Sequence, residues 1–81
     1  MDKNKIMKNI NNIFKDVLEN NNLVIDDEST SENVEDWDSL NHILLVVNIE
    51  KLFNINFTAQ EIQSYSDVGE MRDAIFEKIK N

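Results

Sequence analysis

Residues 37–53, in the middle of the chain, have the sequence WDSLNHILLVVNIEKLF. Apolar side chains dominate it from Leu40 to Phe53, and neither Gly nor Pro interrupts them. They recur at helical spacing but cover an arc wider than one face of a surface helix requires. The stretch therefore predicts a central helix, and we expect core packing to take up most of the arc.

Acids and a hydroxyl mark the start of this helix. Asp36 and Asp38 place negative charge at its N-terminus, where Asp38 or Ser39 can accept an unpaired backbone N–H. Asn54 and Asn56 mark its end. Ser39 alone is typical of a helix cap, but a serine here would also be exposed, with helix amides facing any phosphate attached to it.

A first amphipathic helix is predicted from about Lys3 to Asn20, and Asp2 is suited to cap it. Its apolar face consists of Ile6, Ile10, Ile13, Phe14, Val17 and Leu18.

Residues 21–37 are predicted to form a long polar loop, because the run Asn20-Asn21-Asn22 and the Asp, Glu, Ser and Thr that follow favour local side-chain bonding. A loop of this length in a small domain needs anchors. We expect five apolar residues to hold it on the core, and we place the Trp there rather than at a partner surface. They are Leu23, Val24, Ile25, Val34 and Trp37.

Two capping patterns predict the remaining helices. Thr58 and Glu61 have the spacing of a capping box and open a short third helix that carries Ile62 towards the core. Asp67 and Glu70 repeat the pattern before a last helix. Its buried face should comprise Val68, Met71, Ala74, Ile75, Phe76 and Ile79, with Lys78 and Lys80 at its C-terminal end.

These elements predict an all-α fold: a compact four-helix bundle with a long loop between helices 1 and 2 and a short third helix. The chain has 81 residues, one Gly and no Pro, and contains neither an internal repeat nor a flexible linker. We therefore expect a single domain over residues 1–81.

Charge and composition narrow the classes of function. Sixteen acids against eight bases give a net charge of −8, and no Lys or Arg occurs between Lys15 and Lys51. This surface disfavours nucleic acid and should attract basic partners. The chain has no Cys, no apolar stretch of transmembrane length and no signal-peptide pattern, so we expect a soluble, cytoplasmic monomer.

Few residues are suited to catalysis or metal binding. His42 lies one helical turn after Ser39, which permits a nucleophile–base pair, but a solvated helix residue is the commoner outcome for such a histidine. A calcium loop starting at Asp27 would put Glu32 where Gly is needed. We expect no enzyme and no dedicated metal site, and loose divalent-ion binding by the acidic window stays a hypothesis.

Trp37-Asp38-Ser39-Leu40, followed by a helix ending in Glu50-Lys51-Leu52-Phe53, resembles the attachment site of the acyl carrier and peptidyl carrier protein family. The resemblance continues through residues 57–62 and through Ser66-Asp67-Val68. It implies that Ser39, between Asp38 and Leu40, bears 4′-phosphopantetheine donated from coenzyme A by a phosphopantetheinyl transferase. The arm would carry acyl thioesters to acyl-loading and acyl-transfer enzymes with basic docking surfaces.

The family also suggests which residues partners would recognise, and this chain departs from its usual pattern there. Fatty-acid synthesis carriers are similar but usually have a more acidic second helix, which here retains only Glu50 clearly. Asn41, Leu44 and Lys51 stand where acids are common. The expected recognition residues are Glu35, Asp36, Asn41, Leu44 and Glu50.

Three functions stay open at this point. The first is an acyl carrier in fatty-acid biosynthesis or, with slight preference, in a specialised acyl biosynthetic pathway. The second is a discrete aminoacyl or peptidyl carrier. The third is an acidic helical adaptor without a prosthetic group, in which Ser39 is only a cap.

Overall fold

A computed structural model describes residues 2–79, which form four α-helices and no strand. Helix α1 spans Lys3–Val17, α2 Ser39–Phe53, α3 Ala59–Ser64 and α4 Val68–Ile79. Helix α1 packs against both α2 and α4. The predicted all-α fold, with its long first loop and short third helix, is confirmed.

The core is built from one apolar stripe on each of the three longer helices. Because each stripe follows helical spacing, it turns to the same side of its helix and meets the other two. Burying an aliphatic or aromatic side chain of this size contributes about 1.5–3 kcal/mol to folding. The fully buried side chains are Ile6, Ile10, Phe14, Leu45, Ile49, Val68, Met71 and Ile75.

The predicted caps are present. Asp2 accepts a hydrogen bond from the Lys5 amide at 2.8 Å. Thr58 Oγ1 accepts from the Glu61 amide at 3.1 Å, and Glu61 Oε1 accepts from the Thr58 amide at 2.8 Å, which completes the capping box. Asp67 accepts from the amide three residues on at 2.9 Å.

Helix α1 is shorter than the sequence predicted. It ends at Val17 rather than at Asn20, because Glu19 adopts a left-handed conformation with φ 53°. The Asn20 amide then donates to the Lys15 carbonyl at 3.0 Å, which closes the helix end. At the other end of the chain, the predicted role of Lys80 at the end of α4 lies outside the described residues.

The long loop is held on the core largely as predicted. Ile25, Val34 and Trp37 are buried, and Leu23 is partly buried against them. The prediction for Val24 is wrong: its side chain is 84% exposed. It lies between Leu23 and Ile25 in an irregular, extended stretch, where consecutive side chains point to opposite sides.

The side chain of Asn11 on α1 adds a polar anchor for the loop. Its Oδ1 accepts from the Ile25 amide at 2.7 Å, and its Nδ2 donates to the Leu23 carbonyl at 3.3 Å. These two bonds satisfy backbone groups that the irregular loop would otherwise leave unpaired.

The expectation that core packing takes up most of the α2 arc is wrong. On α2 only Leu45, Val46 and Ile49 are buried. The helix is apolar on two faces, and only one of them has a packing partner within residues 2–79. The exposed apolar side chains of α2 are Leu40, Ile43, Leu44, Val47 and Leu52.

None of the helices in the described part of the chain is both long and apolar enough to span a bilayer.

Candidate functional site

Ser39 is exposed at the first residue of α2. The cap of this helix is its neighbour Asp38, whose Oδ1 accepts from the Asn41 amide at 2.8 Å and whose carbonyl accepts from the His42 amide at 2.8 Å. The sequence left Asp38 and Ser39 as candidates for the cap, and the structure assigns it to Asp38. Because Asp38 does the capping, the helix does not depend on the Ser39 hydroxyl.

The chain before Ser39 is fixed by a tight local arrangement. Asp36 adopts a left-handed conformation with φ 69°, and the Asp38 amide donates to its carbonyl at 3.1 Å. Asn41 Nδ2 donates to the same carbonyl at 2.7 Å. Asn41, expected to be a recognition residue, therefore also holds the turn that presents Ser39.

Trp37 and His42 connect this turn to the rest of the bundle. Trp37 is only 8% exposed and packs edge-on against Phe14 with ring centroids 4.9 Å apart, which confirms its predicted place in the core. Its Nε1–H donates to His42 Nδ1 at 3.1 Å. The other nitrogen, His42 Nε2, lies 3.0 Å from the carbonyl oxygen of Ile62 on α3.

The interpretation of His42 as a solvated helix residue is therefore wrong. The ring is half-buried and both of its nitrogens have partners, one in the loop and one in α3. With both nitrogens occupied, the ring has no free acceptor for a proton from the Ser39 hydroxyl. The nucleophile–base arrangement that the spacing of His42 and Ser39 permitted is absent from this geometry.

A cleft of about 430 Å³ adjoins Ser39. Its walls come from the loop, the first turn of α2 and the segment around the end of α3, so no single element creates it. Both polar and apolar side chains line it, among them Ser31, Trp37, His42, Gln63, Tyr65 and Ser66.

Tyr65 is the most perturbed group on the cleft. Its hydroxyl is buried without a hydrogen-bond partner among residues 2–79. Burial, with a smaller contribution from the negative charge of Glu61, raises the pKa of Tyr65 to about 12. The charge of Glu61 is itself well stabilised: hydrogen bonding from the Thr58 amide, and then from Lys78, lowers the pKa of this carboxyl.

The surroundings of Ser39 are acidic and without nearby bases in sequence. Glu35, Asp36 and Asp38 are exposed just before it. No Lys or Arg occurs between Lys15 and Lys51, so this segment of the chain carries only one sign of charge. Within residues 2–79, no group of three or more Asp, Glu or His side chains is placed to hold a metal ion.

An apolar face of α2 begins directly beside Ser39. It consists of Leu40, Ile43, Leu44 and Val47, which are 70%, 57%, 45% and 39% exposed. Their spacing at i, i+3, i+4 and i+7 puts them on one side of the helix, opposite the core. We call these four residues the outer face of α2.

The residues expected to recognise partners lie on different elements. Leu44 lies on the outer face, and Glu35 and Asp36 lie in the loop before the helix. Glu50 is half-buried, and its Oε2 accepts from the Phe57 amide at 2.8 Å, so its carboxylate supports the turn between α2 and α3.

Sequence reasoning missed three features: the hydrogen bonds of His42, the buried hydroxyl of Tyr65 that has no partner within residues 2–79, and the extent of the outer face. The outer face had a signal, since Leu45 completes a core side that leaves Leu40, Ile43, Leu44 and Val47 on the opposite side. The contact between His42 and Ile62 spans 20 residues, and no local pattern indicates it.

No protein-family model and no curated protein matches the sequence. The fold, however, is similar to a solved structure: the solution NMR structure of a holo acyl carrier protein from Geobacter metallireducens. The TM-score is 0.86 and the sequence identity 28%, over 93% of this chain and 86% of that one. In its fold, over nearly its whole length, this chain is similar to an acyl carrier protein, and the resemblance that the sequence suggested is confirmed.

Proposed function

We propose that residues 1–81 are a single carrier domain, and that Ser39 bears a 4′-phosphopantetheine arm donated from coenzyme A. One observation carries the proposal: in a fold similar to a holo acyl carrier protein, Ser39 is the exposed first residue of α2, within the motif Trp37-Asp38-Ser39-Leu40. The hydroxyl is not needed for capping, which leaves it available for modification.

The position suits an attached phosphate. Ser39 starts a helix of 15 residues, whose N-terminus carries unpaired amides and partial positive charge. These partly offset the repulsion between a phosphodiester and the carboxylates of Asp36 and Asp38. Those carboxylates in turn suit a phosphopantetheinyl transferase that presents basic side chains.

The chain itself would hold acyl groups and catalyse nothing. The terminal thiol of the arm would carry the acyl group as a thioester, and acyl-loading and acyl-transfer enzymes, expected in the cytoplasm, would perform the chemistry. The proposal covers fatty-acid biosynthesis and, with slight preference, a specialised acyl biosynthetic pathway.

Partner enzymes would dock on the outer face of α2 and on the acids before it. Four large apolar residues exposed on one face of a helix are unusual at the surface of a folded domain, and such patches are typical of interaction sites. It starts at Leu40, next to the proposed attachment point, so an enzyme acting on the arm is placed to contact it. The net charge of −8 opposes self-association through this face and favours a partner with a basic rim.

The test is intact-protein mass spectrometry after incubation with coenzyme A, magnesium and a broad-specificity phosphopantetheinyl transferase. We expect one added phosphopantetheine on the wild type and none on Ser39→Ala. Ser66→Ala is the matched control, because Ser66 supplies another hydroxyl to the same cleft, and it should be modified like the wild type. A folded wild type that stays unmodified would contradict the proposal, as would addition to Ser39→Ala.

The apolar outer face also favours a second function, an adaptor that binds a basic protein without any prosthetic group. In that case Ser39→Ala would keep full affinity for the partner, and the wild type would remain unmodified. An aminoacyl or peptidyl carrier would instead be modified at Ser39 and then accept an amino acid from an adenylating enzyme, which loading assays would distinguish from acyl loading.

A further inference from the structure

The half-buried ring of His42 joins the loop to α3 beside Ser39, through Trp37 Nε1 at 3.1 Å and the Ile62 carbonyl at 3.0 Å. We propose that His42 is a positioning residue whose neutral form holds Trp37, and that protonation of His42 releases Trp37 and changes how the turn presents Ser39. The structural part of this proposal concerns the unmodified chain. Its consequence for the arm rests on the proposed function.

The two partners determine which nitrogen of the neutral ring carries the hydrogen. Trp37 Nε1–H is only a donor, so His42 Nδ1 must be the acceptor. The Ile62 carbonyl is only an acceptor, so His42 Nε2 must carry the hydrogen and donate it. The contacts therefore assign the Nε2–H tautomer, and a single ring satisfies one group from each side of the cleft.

A second proton would act on one of these bonds only. Added to Nδ1, it converts the acceptor of the Trp37 bond into a donor, and two N–H groups then face each other across 3.1 Å. That bond cannot persist. The Nε2–H bond to the Ile62 carbonyl survives and becomes charge-assisted, so the ring stays on α3 while the loop side is released.

Movement of Trp37 would be transmitted to Ser39 through only one intervening residue. Trp37 precedes Asp38, which caps α2, and Ser39 follows at once. The indole is buried against Phe14, and the hydrogen bond to His42 is what satisfies its N–H there. Losing that bond leaves a buried donor unpaired, which favours movement of Trp37 towards water together with the turn that ends at Asp38.

The titratable groups near His42 come from the loop, from the cleft and from α3. Asp38 and Tyr65 line the same cleft, and the exposed carboxylates of Glu35 and Asp36 precede Trp37. On α3, the carboxylate of Glu61 is paired with Lys78 at 2.9 Å. Tyr65, which follows α3, remains neutral because its pKa is raised to about 12.

The hydrogen bond between Trp37 and His42 can be tested on the unmodified wild type, because the chain contains one His and one Trp and their NMR signals need no further assignment. Nitrogen-15 NMR of the His42 ring at pH 8 should show the Nε2–H tautomer. Lowering the pH to about 5, across the interval in which histidine changes charge, should shift the Trp37 indole N–H resonance and speed its exchange with water. An Nδ1–H tautomer at pH 8, or an indole resonance that ignores the protonation of His42, would overturn the proposal.

His42→Gln serves as the comparison, because its side chain does not titrate in this interval. Its Trp37 signals should change far less between the same two pH values than those of the wild type. An equal response in both proteins would assign the change to carboxylates and overturn the proposal. If this variant does not fold, the wild-type tautomer and indole signals still decide the matter.

A second measurement addresses the consequence for Ser39. The rate of phosphopantetheine addition to wild type should be divided by that to His42→Gln at each pH, which cancels the pH dependence of the transferase. We expect this ratio to fall as the pH is lowered, and a constant ratio would overturn the link between His42 and Ser39. If no addition occurs at any pH, the proposed function fails. The NMR result still decides whether His42 binds Trp37 as proposed.

Discussion

The amide of Gly69, in the first turn of α4, donates a hydrogen bond to the carbonyl oxygen of Asp27 at 3.0 Å. The neighbouring amide of Val68 donates to the carbonyl of Ser29, also at 3.0 Å. Arg72, one turn further on, pairs with the Asp27 carboxylate. The middle of the long acidic loop is thus held on the start of α4, which satisfies helix amides and loop carbonyls together.

Gly69→Ala should weaken this attachment. A Cβ at position 69 would lie 2.9 Å from the carbonyl oxygen of Asp27, so backbone must move. The overlap outweighs the better helix propensity of Ala, and we expect a net loss of about 1 kcal/mol in the free energy of unfolding. Urea denaturation measures it. Unchanged or increased stability would show that the loop moves away from α4 without cost.

Asp38→Ala should destabilise the chain by about 1 kcal/mol, because the Asn41 amide loses its capping acceptor. Asp38→Asn is the matched variant, since Asn caps as well as Asp but carries no charge. Its stability should stay within about 0.5 kcal/mol of the wild type. Urea denaturation of both variants separates the cap from the charge, and equal losses would contradict this assignment.

Ser39→Ala should leave stability within about 0.5 kcal/mol of the wild type, because the hydroxyl is exposed and Asp38 provides the cap. A loss as large as that of Asp38→Ala would mean that Ser39 supports the helix start after all. The comparison matters for the mass spectrometry test, since it shows whether the unmodified variant is folded.

Tyr65→Phe should increase the free energy of unfolding by about 1 kcal/mol, because it removes a buried hydroxyl that has no partner within residues 2–79. Thermal or urea denaturation at neutral pH measures the change. A clear loss of stability would instead indicate that the hydroxyl is hydrogen-bonded in solution, for example to a water in the cleft.

The raised pKa of Tyr65 also predicts a pH dependence. The folded chain holds the proton up to about pH 12, whereas an unfolded chain releases it near the ordinary value of 10.0. The folded state therefore binds more protons between these values, and its stability should fall as the pH rises through them. Tyr65→Phe should lose less stability over the same interval. Because Tyr65 is the only Tyr, phenolate absorbance follows its ionisation directly.

Leu44→Gln should slow phosphopantetheine transfer at limiting carrier concentration, because it places an amide on the outer face of α2 where we propose that partners dock. Leu52→Gln is the matched control: Leu52 is 54% exposed on the same helix but lies away from the outer face, beside α1. Both variants should keep nearly the wild-type stability. Equal transfer rates for the two would remove the outer face from the docking proposal.

Local sequence patterns were enough to predict the four helices of this protein. Each of the three longer helices has an apolar repeat, and the caps at Asp2, Thr58 and Asp67 depend on residues at most three positions away, so local chemistry was enough to find them. At the start of α2 it left Asp38 and Ser39 as alternatives. The motif around Ser39 and the pattern of four successive helices were likewise local. They suggested the acyl carrier family, and the fold is similar to a solved acyl carrier protein.

The contacts between distant apolar and polar groups could be read only from the folded chain. It turned Val24 and the outer face of α2 towards solvent, because α1 covers only one side of α2 and the extended loop alternates its side chains. It brought Ile62 to His42 and Asp27 to Gly69, pairs separated by 20 and by more than 40 residues. Periodicity describes which residues share a face of one helix, whereas the partner of that face depends on how distant segments pack together.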